Sequence, residues 1–400
     1  MDDKYSTRAG YVKPSETREI LKVTERPEVI SFAGGLPAPE LFPVDAIRAA
    51  ADAVLTEMGQ ASLQYSTTEG YTPLRTAICE RMSAIGIQSK VEQVLVTSGS
   101  QQAIDLTGKL FINEGDTVIC ESPTYLAAIN AFKVYDARFV EVAMDDDGMI
   151  MEELEKTLQA HPEAKFIYTI PDFQNPTGRT LKLDRRQRMV ELANKYNVLI
   201  VEDNPYGAVR FAGESLPPVK HFDTEGRVIY LSTFSKIFAP GLRLGWVCAS
   251  EEIIDKYVAL KQSADLHTDS FAQMLTAKYM EQNDINAHVE KIKDVYKERC
   301  ETMLSCIKEY FPASIKHSVP EGGLFIWVEL PDTVDSSVLF VECLNNNVAF
   351  VPGAPFFPNG GVKNTLRLNY SNMPNERIVE GMKRIGEVLQ RELNDVTVSN

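Results

Sequence analysis

Lys236 follows the apolar run Val228 to Leu231 and closes the stretch Ser232-Thr233-Phe234-Ser235-Lys236, ahead of Pro240-Gly241-Leu242-Arg243-Leu244-Gly245. A lysine after a strand is most often a solvated surface amine; held in a ligand crevice, it is a nucleophile that forms imines. Two other polar groups occupy equivalent places. Asp203 lies in Val201-Glu202-Asp203-Asn204-Pro205-Tyr206, and Asn175 lies in Pro171-Asp172-Phe173-Gln174-Asn175-Pro176-Thr177-Gly178, each just beyond a β-branched or aromatic run. In an open parallel sheet the carboxyl ends of the strands share one edge, where ligands bind, so the three side chains are expected to converge.

An amine, an acid and an amide at one crevice match the needs of pyridoxal phosphate, whose aldehyde takes an amine and whose pyridinium nitrogen takes an anionic partner. Ser98-Gly99-Ser100-Gln101-Gln102 follows another apolar run and opens a helical pattern. Ser100 is placed there to cap the helix, and Gly99 permits close approach. Such a helix N-terminus receives phosphate through its free N–H groups and dipole, although a plain capped helix would read the same way. Arg243 offers a guanidinium fork for the same phosphate.

Taken in order from about Thr17 to Asn369, these motifs resemble the class I aminotransferases of fold type I, which depend on pyridoxal phosphate. Phe32-Ala33-Gly34-Gly35-Leu36-Pro37 and Leu63-Gln64-Tyr65-Ser66-Thr67-Thr68-Glu69-Gly70-Tyr71 are most similar to the 2-aminoadipate, kynurenine and broad-range members. The resemblance implies an α/β fold, with a mostly parallel large-domain sheet flanked by helices and a smaller α+β domain. It implies that Lys236 carries the cofactor and moves the proton at the substrate's Cα, and that Asp203 partners the ring nitrogen. Tyr206 and Asn175 then share the cofactor's 3′-oxygen, and Tyr125 stacks on its ring. Ser100, Gln101, Thr233, Ser235 and Arg243 fall to the phosphate; threonine at 233, where relatives often carry serine, keeps the hydroxyl. Arg367 grips the α-carboxylate, with Asn175 and Gly35 on the substrate side. Arg18, on an N-terminal segment over the site, meets a substrate side chain. Tyr65 crosses to the neighbouring subunit's phosphate, which implies a homodimer with shared sites.

The implied reaction moves the amino group of an L-amino acid to a 2-oxo acid, 2-oxoglutarate by analogy, in ping-pong half reactions. The donor is open among 2-aminoadipate, aromatic and branched amino acids. The same scaffold serves carbon–sulfur lyases. A non-catalytic regulatory module that binds pyridoxal phosphate as a ligand would need an added DNA-binding domain, and only about thirty residues precede Gly34.

The elements that must position these groups are legible as alternation. Short apolar runs at Val94 to Val96, Val118 to Cys120, Phe166 to Ile170, Val198 to Val201, Val228 to Leu231 and Leu244 to Cys248 alternate with helical patterns, the mark of βαβ units. The last run is a candidate for antiparallel pairing. Leu183 to Tyr196 reads as an amphipathic crossover helix, with Met189, Leu192, Ala193 and Tyr196 on one face. Lys291 to Tyr310 reads as one long helix, placing a boundary near residue 290. The expected division is a large cofactor-binding domain at 46–290 and a small domain of 1–45 with 291–400.

Composition excludes several other functions. The 400 residues are 44% apolar, enough for a sizeable core, and carry a net charge of −15, which argues against binding a phosphate backbone. No apolar run is long enough to span a bilayer, and the N-terminus lacks a leader pattern, so a cytoplasmic location is expected. Six cysteines without C-x-x-C spacing read as reduced. Five scattered histidines lack a zinc pair's spacing, and Asp145-Asp146-Asp147-Gly148 lacks the remaining ligands of a calcium loop. No protein-held metal is expected.

Overall fold

The computed structural model describes residues 4–11 and 26–398, with side chains described as far as residue 393. After the two-residue strand β1 (Ile30–Ser31), eight strands build one sheet: β2 (Val94–Ser98), β3 (Thr117–Ser122), β4 (Arg138–Asp145), β5 (Gly148–Met149), β6 (Phe166–Thr169), β7 (Leu199–Asp203), β8 (Val228–Thr233) and β9 (Leu244–Cys248). Their order is β2-β9-β8-β7-β6-β3-β4-β5. The five strands β8, β7, β6, β3 and β4 run parallel, and β9 runs antiparallel to both β2 and β8, as expected for that run.

Strands covered by helices on both faces should be near-continuous apolar runs, and β6, β8 and β9 are buried at every residue. The sequence reading missed β4 and β5. Near the sheet's margin, β4 alternates charged and apolar residues in Arg-Phe-Val-Glu-Val-Ala-Met-Asp and is only partly covered, so it lacks the apolar run of an interior strand.

The crossover helix Leu183–Tyr196 buries Met189, Val190, Leu192 and Ala193, and ends at Asn197 in the left-handed region (φ 54°), where asparagine is tolerated. The fully buried Arg186 of this helix makes a two-pronged pair with Asp172 at 2.7 and 3.2 Å. Asp172 also accepts from Asn204 Nδ2 at 2.9 Å, so one charge cluster ties the turn after β6 to the end of β7.

The long helix runs Ile285–Tyr310, six residues earlier than expected, because Asp284 caps it by accepting from the Asn286 and Ala287 backbone N–H groups. Residue 290 therefore falls inside a continuous helix. Beyond it, β10 (Lys316–His317), β11 (Phe325–Glu329), β13 (Val351–Pro352) and β14 (Thr365–Asn369) form an antiparallel sheet in the order β10-β11-β14-β13. β1 pairs in parallel with β12 (Val348–Ala349). Asn369 N–H then donates to Phe32 O at 2.9 Å, which lays residues 33–35 against the end of β14. No helix among the described residues is long and apolar enough to cross a membrane.

Candidate active site

The carboxyl ends of β6, β7 and β8 open into a cavity of about 760 Å³ whose lining includes Asn175, Asp203 and Lys236. The three strand exits do converge. Lys236 is half-buried and donates to the Gly35 carbonyl at 2.7 Å. Burial first, then the Arg367 and Arg243 charges, lower its amine to about 8, far enough to leave a useful neutral fraction near physiological pH.

Asp203 is 1% exposed, and burial raises its carboxyl to about 7. Its Oδ2 accepts from the Tyr168 hydroxyl at 2.7 Å, while its buried Oδ1 has no partner among the described residues. A buried acceptor left unpaired costs about 1–3 kcal/mol, and a protonated ring nitrogen is the kind of donor it lacks.

Asn175 works in two directions. Its Nδ2 donates to the Tyr206 hydroxyl at 3.3 Å, and its Oδ1 accepts from Arg367 at 2.7 Å. The turn that presents it is locked by Gln174, whose Oε1 accepts from Thr177 N–H and hydroxyl at 2.9 and 2.7 Å. Gln174 in turn donates to Glu121 at 3.0 Å and to Pro123 O at 2.8 Å. Glu121 accepts from Thr169 as well, at 2.6 Å; burial raises this carboxyl to about 7 against those hydrogen bonds.

Arg367 projects from β14, where it stands between Trp327 on β11 and Val351 on β13. Its guanidinium donates to Ala33 O at 2.8 Å and lies against the rings of Phe325 and Phe356, 4.1 and 5.2 Å from their centroids. Packed aromatic rings and two hydrogen bonds hold the fork in place, and Nε has no partner among the described residues.

The start of helix Gly99–Phe111 also lines the cavity. Ser98, not Ser100, occupies the N-cap position, and its side chain makes no capping hydrogen bond; Ser100 is the helix's second residue. The helix thus starts two residues earlier than a Ser100 cap would place it, at Gly99, which holds a positive φ (+73°). The leading N–H groups are left for a ligand, and Ser100 and Gln101 both line the cavity. A Cβ on Gly99 would lie 2.5 Å from Arg243 Nη2, so glycine makes room for that guanidinium. Ser235 and Thr233 line the same cavity, with Thr233 donating to Leu244 O at 2.9 Å. Tyr125 also lines the cavity, its phenol pushed up to about 12 by burial and the Asp203 charge.

Tyr65 does not line the cavity. It is 80% exposed and touches His267 edge-on, with ring centroids 5.9 Å apart. Arg18 lies outside the described residues. The sequence reading missed Tyr168, which looked like one more core aromatic in a strand, and the Phe325 and Phe356 rings around Arg367.

A sequence model of the class I and II aminotransferases matches residues 28–385. The chain belongs to this family. This aminotransferase is 47% identical to the aromatic-amino-acid aminotransferase 1 of Thermococcus litoralis, over 97% of this chain and 94% of that protein. It is 42% identical to the 2-aminoadipate transaminase of Thermus thermophilus over 97% of each. The crystal structure of Pyrococcus horikoshii kynurenine aminotransferase in complex with PMP superposes at a TM-score of 0.95, with 42% identity over 98% of both chains. The fold is fold type I, and the cofactor of the aminotransferase is pyridoxal 5′-phosphate. The donor set fits that cofactor: an unpaired buried carboxylate oxygen, a depressed amine and an uncapped helix start beside an arginine face one cavity.

Proposed function

We propose that this pyridoxal-phosphate aminotransferase moves the amino group of an aromatic, branched or 2-aminoadipate-type L-amino acid to a 2-oxo acid, 2-oxoglutarate by family analogy, in ping-pong half reactions. The observation that carries the reading is the meeting of Lys236, Asp203 and Arg367 around one cavity. The relatives, named for aromatic, 2-aminoadipate and kynurenine substrates, support the donor range.

Bound here, the cofactor supplies an aldehyde carbon that exchanges amines and a ring that draws electrons from the substrate's Cα. Asp203 would hold the ring nitrogen, Tyr206 and Asn175 the 3′-oxygen, Tyr125 the ring face, and Ser100, Gln101, Thr233, Ser235 and Arg243 the phosphate. Lys236 would hold the aldehyde end. Arg367 binds the α-carboxylate as a two-pronged donor, steadied by Asn175, with Gly35 on the substrate side. With the carboxylate fixed, the substrate's Cα–H is directed to Lys236, whose amine takes the proton and returns it as general base and acid.

Leu126, Ala127, Val134, Ile170 and Phe356 give the cavity apolar surface for the donor's side chain. A second carboxylate needs another cation, a role we leave to Arg18. Tyr65, exposed and outside the cavity, fits the proposed reach to a second subunit's phosphate, and a homodimer in the cytoplasm completes the reading. We also propose a large domain at 46–290 and a small one formed by 1–45 and 291–400; each main sheet draws its strands from one of these ranges.

A donor panel with 2-oxoglutarate tests the function. Glutamate formed with aromatic or branched donors and with 2-aminoadipate supports it. Pyruvate and ammonia released from a cysteine conjugate, without glutamate, would assign a carbon–sulfur lyase instead.

A further inference from the structure

The Asp203 carboxylate receives a single side-chain hydrogen bond among the described residues, from Tyr168. Both side chains are 1% exposed. The terminal torsion of an aspartate is broad and roughly two-fold, so a lone carboxylate on the last residue of β7 could present either oxygen, or neither squarely, to the cavity. The phenol removes that freedom. Tyr168 is itself fixed by packing: its ring meets Phe132 edge-on at 5.7 Å, and Phe132 meets Phe166 at 5.2 Å. Phe132 belongs to helix Leu126–Lys133, which begins directly after Tyr125. The residue proposed to stack on the cofactor and the one holding Asp203 are therefore set by the same helix. Burial and the Asp203 charge keep the Tyr168 phenol protonated, so it remains a donor.

We propose that Tyr168 is a positioning residue for transamination: its hydroxyl fixes Asp203 through Oδ2, so that Oδ1 is presented to the protonated ring nitrogen of the cofactor. The proposal rests on the reading of Asp203 as the ring-nitrogen partner. Tyr168→Phe keeps the ring packing and deletes only the donor.

The test uses the full chain, freed of cofactor and titrated with pyridoxal phosphate by equilibrium dialysis, for wild type, Tyr168→Phe, Asp203→Asn and the double variant. Tyr168→Phe should weaken cofactor affinity about tenfold, the scale of one hydrogen bond to a charged group. It should also lower kcat at saturating cofactor, leaving KM for the amino donor and the melting temperature of the cofactor-free protein near wild type. Because the effect passes through Asp203, adding Tyr168→Phe to Asp203→Asn should cost nothing further. Unchanged affinity in Tyr168→Phe, or the same loss with and without Asp203, would overturn the proposal while leaving the Asp203 reading intact. If Asp203→Asn alone leaves affinity and kcat unchanged, the reading of Asp203 itself is wrong.

Discussion

Arg367 donates to Asn175 Oδ1 at 2.7 Å, and that contact joins the antiparallel sheet at the C-terminal end of the chain to the turn after β6 of the large sheet. One amide thus serves two neighbours, since its Nδ2 points to Tyr206. Asn175→Ala should lose both functions together. A hydrogen bond to a charged group contributes about 1.5–3 kcal/mol, so kcat/KM for the amino donor should fall roughly tenfold to a hundredfold. Steady-state kinetics at saturating cofactor check this. A change in KM with kcat untouched would mean that Asn175 serves only the carboxylate grip.

The Lys236 amine, lowered to about 8 by burial and then by Arg367 and Arg243, sets a pH dependence. The protonated amine is inert, so the fraction able to react rises with pH through about 8 and levels above it. The rate at which cofactor-free protein takes up pyridoxal phosphate, followed from pH 6 to 10, should show that midpoint. Arg367→Met removes one of the two repelling charges and should move the midpoint upward. A wild-type midpoint at the ordinary lysine value would contradict the environment assigned to Lys236.

Gly99 holds φ +73°, and Arg243 Nη2 lies 2.5 Å from where its Cβ would be. Gly99→Ala should therefore strain the helix start by about 1–2 kcal/mol and displace the guanidinium. Affinity for pyridoxal phosphate should drop about tenfold or more, while affinity for pyridoxal, which has no phosphate, should hold. Equal losses for both would move the phosphate cradle elsewhere.

The sequence was most informative where chemistry follows a local pattern. Asn175, Asp203 and Lys236 stood out because each polar group ends or follows a buried strand, and strand ends in a parallel sheet share an edge. Arg367 carried no such mark: it sits inside an antiparallel strand, and only resemblance singled it out. Its support by Phe325 and Phe356 depends on how neighbouring segments of the small sheet fold against one another, and the seating of residues 33–35 beside it on a contact between segments more than three hundred residues apart; no local spacing encodes either. Tyr168 was hidden for a different reason, because a buried tyrosine and a positioning tyrosine look alike until the hydroxyl's partner is seen. The start of helix Gly99–Phe111 misled by two residues, since the helix opens on a glycine at positive φ and not after a Ser100 cap.

The most direct measurement is the absorption of the cofactor-loaded protein, wild type and Lys236→Ala, before and after adding an L-amino acid with no 2-oxo acid present. The wild type should lose its yellow band as the amino group passes to the cofactor and one equivalent of 2-oxo acid appears. Lys236→Ala, folded with a melting temperature near wild type, should fail to complete that conversion. Conversion by Lys236→Ala at a rate near wild type would contradict the assignment of Lys236.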